Sequence, residues 1–400
     1  MELLLNYLFA AGVVFSHIFG YAFSIISLFF IYKNWDDLKR EKIFQLICVF
    51  LVYGFILAVF SGDRKIAFDE MFNYAASWLP PFVLGYYVVN ETKKYKIILT
   101  NITVFSVIVF LSVLAYYGLF YKEIFGMPLA GSGLYGHINA FLWHISLGAM
   151  CVMISSITFI LFLFRQDLSK NQKKILFALS VFFAVSLFLT GSRGYYIAGF
   201  ITYVAIFAFY FYKTKRIKEI FMFALLSGLI IGIIYSKNTF IQQRVQNTSI
   251  SHEGSLKTRI NGYKIAFAIF KNNPLFGVGP RQSVKQKEFI EISQDYSDGA
   301  RHLHSMYINL LADFGLTGIV IFVFLLFHIF KRLVNSYKTN NSLLALALIF
   351  CWISLLIGDN FDTVLRGPRV AMDYFWITGL VLGGTLAKNK KEEKNNEEQK

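Results

Sequence analysis

The sequence predicts an all-α, polytopic integral membrane protein, and three observations predict it. Of 400 residues, 56% are hydrophobic and the mean hydropathy is +0.53, more than a soluble domain tolerates. Apolar runs of about twenty residues recur along the chain, each long enough to cross a hydrocarbon core of roughly 30 Å. Lysines and arginines collect in every second connection between those runs, the alternation expected of a helical bundle with a fixed orientation.

The first run, residues 3–32, is interrupted at Ser16-His17 and Gly20. As one helix it would be about 45 Å long, so it reads as one tilted span or two short ones. Further spans are expected near 43–60, 71–90, 97–120, 137–164, 174–190, 194–212 and 219–236, with Trp78-Leu79-Pro80-Pro81 reading as a helix break. After a polar stretch, three more follow near 304–330, 342–358 and 370–387. The basic connections around Lys39-Arg40, Lys93-Lys94, Lys173-Lys174, Lys215-Arg216 and Lys331-Arg332, with the Lys388 tail, fall on the cytoplasmic side and place 237–303 outside. Four regions result: an N-terminal transmembrane bundle over 1–236, an external loop over 237–303, C-terminal transmembrane helices over 304–387, and a charged, disordered cytoplasmic tail over 388–400.

The formal charge of +15 lies mostly in short loops, so it reports orientation and implies no nucleic-acid partner. Cys48, Cys151 and Cys351 all sit in apolar runs, which predicts neither a disulfide nor a metal cluster. No removable signal peptide is expected, since the N-terminus lacks a basic region and a small-residue cleavage site. The chain has no phosphate-loop or dinucleotide fingerprint, and its cytoplasmic loops are too short for a nucleotide-binding domain.

The external loop carries ten Lys or Arg against five Asp or Glu, an excess that an anionic partner at the outer leaflet would explain. Within it, Thr258 to Asn272 reads as a helix with Ile260, Tyr263, Phe267 and Phe270 on one face, lying on the membrane or capping the bundle. Asn273-Pro274 ends that helix and Phe276-Gly277-Val278-Gly279-Pro280 makes a turn. At the loop's end, Arg301, His302 and His304 stand at the mouth of a span, and Ser305, Asn309 and Asp313 follow at i, i+4, i+8. A polar strip at membrane depth faces a bundle interior or a wet cavity.

Arg193 sits in the short turn Thr190-Gly191-Ser192-Arg193-Gly194, where glycines let backbone N–H groups approach an anion beside the guanidinium; simple snorkelling is the alternative. Arg193, Arg259, Arg281, Arg301 and Arg366 all map to the external side, with Arg369 a weaker member. Guanidiniums converging on one cavity call for an anion, and their planar fork suits phosphate. His302 and His304, read as helical at i, i+2, point to different faces with no Cys or third His ligand nearby, so no zinc site is expected. His137 and His144 read as packed rather than catalytic.

The ordered set Thr190-Gly191-Ser192-Arg193, Thr258-Arg259, Asn273-Pro274-Leu275-Phe276-Gly277-Val278-Gly279, His304-Ser305-Met306-Tyr307 and Leu311-Ala312-Asp313-Phe314-Gly315-Leu316 resembles the bacterial O-antigen ligase family, which shares its pattern with O-antigen polymerases. The resemblance is sharp over about 190–330. It implies a polyprenyl-linked glycosyltransferase-like fold of about twelve spans with one large periplasmic loop, in the inner membrane. That implication favours two helices within 3–32. It implies metal-independent, cofactor-free transfer of a glycan from undecaprenyl pyrophosphate to lipid A–core. By position, His304 matches the family's essential histidine, and Arg193 and Arg259 its essential arginines; Ser305 stands where many members carry Asn. Arg281, Arg301, His302 and Arg366 are added here as substrate-binding residues on the charge argument alone.

The chemistry agrees with that inventory. A donor used outside the membrane must carry its own leaving group; arginines would neutralise the departing pyrophosphate, and a near-neutral histidine would take the acceptor hydroxyl proton, inverting the anomeric carbon. A polysaccharide polymerase with a second lipid-linked glycan as acceptor is the first alternative. A transporter of an anionic lipid or sugar is the second, although no internal repeat is visible.

Overall fold

The structure, a computed structural model, describes residues 2–383 except 16, 34, 89–90, 125–126, 131–137, 247–253 and 294–301. The expected charged tail (388–400) and Arg301 thus lie outside the described residues. Sixteen α-helices account for most of the described chain: α1 (Glu2–Phe15), α2 (His17–Lys33), α3 (Trp35–Leu38), α4 (Lys42–Phe60), α5 (Arg64–Tyr86), α6 (Glu91–Tyr116), α7 (His144–Phe164), α8 (Lys170–Leu189), α9 (Arg193–Thr214), α10 (Lys218–Lys237), α11 (Thr239–Gln246), α12 (Gly254–Asn272), α13 (Lys287–Ser293), α14 (Met306–Asn340), α15 (Leu343–Gly358) and α16 (Pro368–Leu382). One two-residue hairpin, β1 (Glu123–Ile124) with β2 (Met127–Pro128), interrupts the helical pattern.

Among the described residues, seven helices are long and apolar enough to cross a membrane: α4, α6, α7, α8, α9, α10 and α14. The fold is therefore helical and of a polytopic membrane type. The first apolar run divides into α1 and α2, and both pack against α5. The central helix α7 is buried over nearly its whole length, surrounded by α8, α9 and α15.

Three sequence expectations need correction. The Pro80-Pro81 pair does not break α5, which runs on to Tyr86. Gly85 on α5 and Gly379 on α16 each lie against the other helix's backbone, so close packing holds the helix across the prolines. The helix expected from 137 begins only at His144, because Ala140 and Phe141 adopt left-handed φ of 48° and 60°. The third correction concerns α14, which is not one straight helix. It breaks at Gly315, where φ is 63° and ψ −165°.

That break positions the loop that precedes α14. A kink inside an apolar helix exposes peptide groups that need partners. Residues 274–279 supply them: Val278 N donates to Ala312 O (3.0 Å) and Gly279 N to Asp313 O (2.9 Å). In return, Leu316 N donates to Pro274 O (2.9 Å) and Thr317 N to Leu275 O (3.1 Å). Gly277 and Gly315 allow the approach, since a Cβ on either would meet the other segment's backbone at about 2.5 Å. Just before this staple, α12 lays Ile265, Ala266 and Ile269 on Leu303, Ile308 and Ala312 of the α14 entry. Its opposite face, Ile260, Tyr263 and Phe267, is exposed, so the helix caps the bundle with one face and turns the predicted apolar face outward.

Candidate functional site

Four segments converge at the entry of α14. Ser305, Asn309 and Asp313 are all buried, so the polar strip does face the protein interior. Asn309 uses its amide locally: Nδ2 donates to Ser305 O (2.7 Å) and Oδ1 accepts from Leu303 N (3.3 Å), holding the chain on either side of His304. Asp313 Oδ1 accepts from Ser283 N (2.9 Å) and anchors the loop beyond the staple. The first helical amide, Met306 N, donates to Asp359 O (2.9 Å) and Asp362 O (3.1 Å), docking the entry on the α15–α16 connection. Gly262 of α12 faces Leu303 O so closely that a Cβ there would stand 2.6 Å away.

This scaffold sets His304 in a left-handed conformation (φ 53°), outside the helix. The helical i, i+2 argument therefore fails. The rings of His302 and His304 lie together, centroids 4.4 Å apart and tilted by 51°. His302 Nε2 stands 3.7 Å from Asp362 Oδ1. One ligand atom from each of His302, His304 and Asp362 falls within a 4.8 Å triangle, which supplies the third ligand type that sequence reasoning did not find. Burial, then the neighbouring His302, push the His304 imidazole down to about 4, with Arg259 adding to the effect and Asp362 opposing it. The ring is accordingly neutral at pH 7. Burial alone would raise the Asp362 carboxyl, but the facing His302 outweighs it and holds the group below the ordinary carboxylate range.

Arg193 opens α9 as its first residue, so its side chain and the helix's first N–H groups share one end of the bundle. Gly194 lets that end approach Phe361, whose Cβ would be 2.6 Å from an alanine methyl there. Arg259 Nε donates to Phe361 O (3.2 Å). Arg193, Arg259, Asp362 and His144 line one small cavity with Ser192, Tyr195 and Gly358. Arg193, Arg259, His302 and His304 are thus gathered on one locus around the α15–α16 connection.

The other arginines go elsewhere. Arg366 is half-buried against the buried Glu70 of α5, Nη2 to Oε2 at 2.9 Å with Nε on the other carboxylate oxygen. Burial opposes its charge, yet Glu70 outweighs burial and holds the guanidinium above its ordinary range. Its fork is therefore engaged by an internal carboxylate. Arg369 donates to Phe141 O. Arg281 sits half-buried at φ 58° beside Gln282, outside the walls of the arginine cavity. Gln282 clamps the α4–α5 turn, accepting from Asp63 N (3.0 Å) and donating to Asp63 O (3.1 Å).

Two members of the site were not singled out from sequence. Asp362 lies 58 residues beyond His304 in a connection with no periodicity to read, and only its spatial return to the histidines marks it. His144 reads as a packed ring but lines the arginine cavity.

The comparison with curated proteins found no match. Residues 177–323 match the family model described as O-antigen ligase, a segment that holds Arg193, Arg259, the staple and His304. Over that segment, somewhat more than a third of its length, the chain is similar to the O-antigen ligase family.

Proposed function

We propose that this protein is an O-antigen ligase, transferring a glycan from undecaprenyl pyrophosphate to a sugar hydroxyl of lipid A–core on the periplasmic side of the inner membrane. The family match over 177–323 supports the ligase and polymerase superfamily. The observation that carries the finer reading is the meeting of Arg193 and Arg259 in one cavity, with neutral His304 close enough to feel Arg259's charge. Twelve of the described helices, α1, α2, α4–α10 and α14–α16, serve as the spans, so that the loop and its staple face the periplasm.

In this mechanism the two guanidiniums, with the first N–H groups of α9, hold the donor pyrophosphate and neutralise charge as it leaves. The acceptor oxygen forms a bond to the anomeric carbon from the face opposite the breaking C–O(phosphate) bond, so configuration inverts. His304 takes the hydroxyl proton, and Asp362, through His302, stabilises the resulting imidazolium. Arg193, Arg259 and His304 act directly, and His302 is a positioning residue. Arg281 and Arg301 are proposed to meet the acceptor phosphates. Arg366 is reassigned to holding α5 against the α15–α16 connection. The transfer step itself uses no metal or other cofactor.

The test is transfer by purified protein from a synthetic lipid-pyrophosphate glycan to lipid A–core, with and without EDTA. Wild-type protein should transfer in EDTA, and His304→Ala should insert normally but lose transfer. Near-wild-type transfer by His304→Ala would remove the base. Elongation of a second lipid-linked glycan in place of lipid A–core would make the protein a polymerase.

A further inference from the structure

We infer that His302, His304 and Asp362 form a binding site for a zinc-class divalent cation, and that filling it takes His304 out of the reaction. The binding stands on geometry alone; its inhibitory consequence rests on the proposed role of His304.

Two imidazoles and one carboxylate are a donor set suited to zinc and its neighbours, and poorly suited to magnesium or calcium, which favour oxygen ligands. Tetrahedral ligands at about 2.0–2.1 Å from a metal lie about 3.3 Å from each other. The His302 Nε2 to Asp362 Oδ1 separation is already 3.7 Å, and all three ligand atoms lie within 4.8 Å of one another. Small side-chain rotations close the remaining gap. The ligands are also accessible: the His302 side chain is 30% exposed and that of Asp362 15%.

Their mounting is rigid. Asn309 holds Leu303, between the two histidines, and Met306 N holds the carbonyls of Asp359 and Asp362, so three ligands from two distant segments keep one spacing. Three protein ligands leave one tetrahedral position open. Asp362 also borders the cavity of Arg193 and Arg259, whose charges favour an anionic fourth ligand such as hydroxide or a phosphate oxygen. A metal on His304 occupies the lone pair that would take the acceptor proton.

The test uses the full-length protein without a polyhistidine tag, in detergent. Zn2+ is titrated against a chromogenic chelator, and Co2+ is added separately to record its visible spectrum. The expected result is one stoichiometric Zn2+ site and the intense bands of tetrahedral Co2+, both lost in His302→Ala and Asp362→Ala. His328→Ala, which changes an exposed histidine on α14, should leave both intact. Absence of stoichiometric binding, or binding indifferent to His302→Ala and Asp362→Ala, overturns the site. Transfer assays separate the two claims. Zn2+ should stop transfer at one equivalent and EDTA should restore it, whereas bound Zn2+ with undiminished transfer would keep the site and remove His304 as base.

Discussion

Gly262→Ala tests whether the α12 contact with the α14 entry positions the site. The new methyl would stand 2.6 Å from Leu303 O and 3.4 Å from Ile308 Cδ1. Ordinary contact begins at 3.4 Å, so α12 must withdraw from Leu303 by about 0.8 Å. Arg259 lies one turn earlier on α12 and His304 one residue after Leu303, so the two groups move apart together. Misplacement by about 1 Å costs roughly a hundredfold in rate, which sets the expected loss of transfer at about ten- to a hundredfold. Stability should change little: overpacking costs about 1–3 kcal/mol and the alanine's better helix propensity returns about 1 kcal/mol. Initial rates and thermal melts in the same detergent read the two effects separately. Gly228→Ala, with nothing within 4 Å of its Cβ, is the control and should leave transfer unchanged. A Gly262→Ala protein with wild-type rate, or one whose loss only follows unfolding, would refute the reasoning.

Arg193→Lys keeps the charge but loses the planar fork, and transfer should fall at least about tenfold; equality with wild type would reduce Arg193 to a generic charge. His304 is held near pH 4, so it stays neutral down to that region, and the acid limb of kcat/KM should lie well below 6.5. The same depressed value means the folded state refuses a proton that the unfolded chain accepts, so this group's contribution to stability falls as pH drops from about 6.5 towards 4. His302→Ala should move the acid limb upward, and a wild-type limb at 6.5 would contradict the environment described. Glu70→Ala leaves Arg366 half-buried without its carboxylate and should destabilise the fold by about 3–5 kcal/mol in denaturant titrations, with the Glu70→Leu, Arg366→Met pair recovering much of it.

Helix positions and the buried strip Ser305, Asn309, Asp313 were legible because spacing on a helix face is a local property of sequence. Motif order picked out Arg193, Arg259 and His304, and the structure brings these three to one locus. What failed depended on backbone turns or on distant partners. His304 leaves helical geometry one residue before the α14 cap, so its spacing from His302 said nothing about direction. Arg366 looked like the other external arginines because Glu70, 296 residues away, cannot be paired with it by inspection. Asp362 was silent for the same reason: its chemistry appears only where the α15–α16 connection folds onto the histidines. The prolines of α5 misled because local propensity was overruled by contact with α16.

The bonds between residues 274–279 and the broken α14 are all peptide to peptide. Drift in most side chains of that stretch leaves the tie untouched, so its identity can wander while its geometry endures. Length is another matter. The segment is fastened at both ends, through Pro274 and Leu275 on one side of Gly315 and Val278 and Gly279 on the other, and works as a ruler of fixed count. One residue added or removed between those fastenings would put the next N–H opposite the wrong carbonyl and turn α12 relative to the histidines. Among descendants of such a chain, insertions should accumulate in other parts of the loop, and this short ruler should be inherited whole.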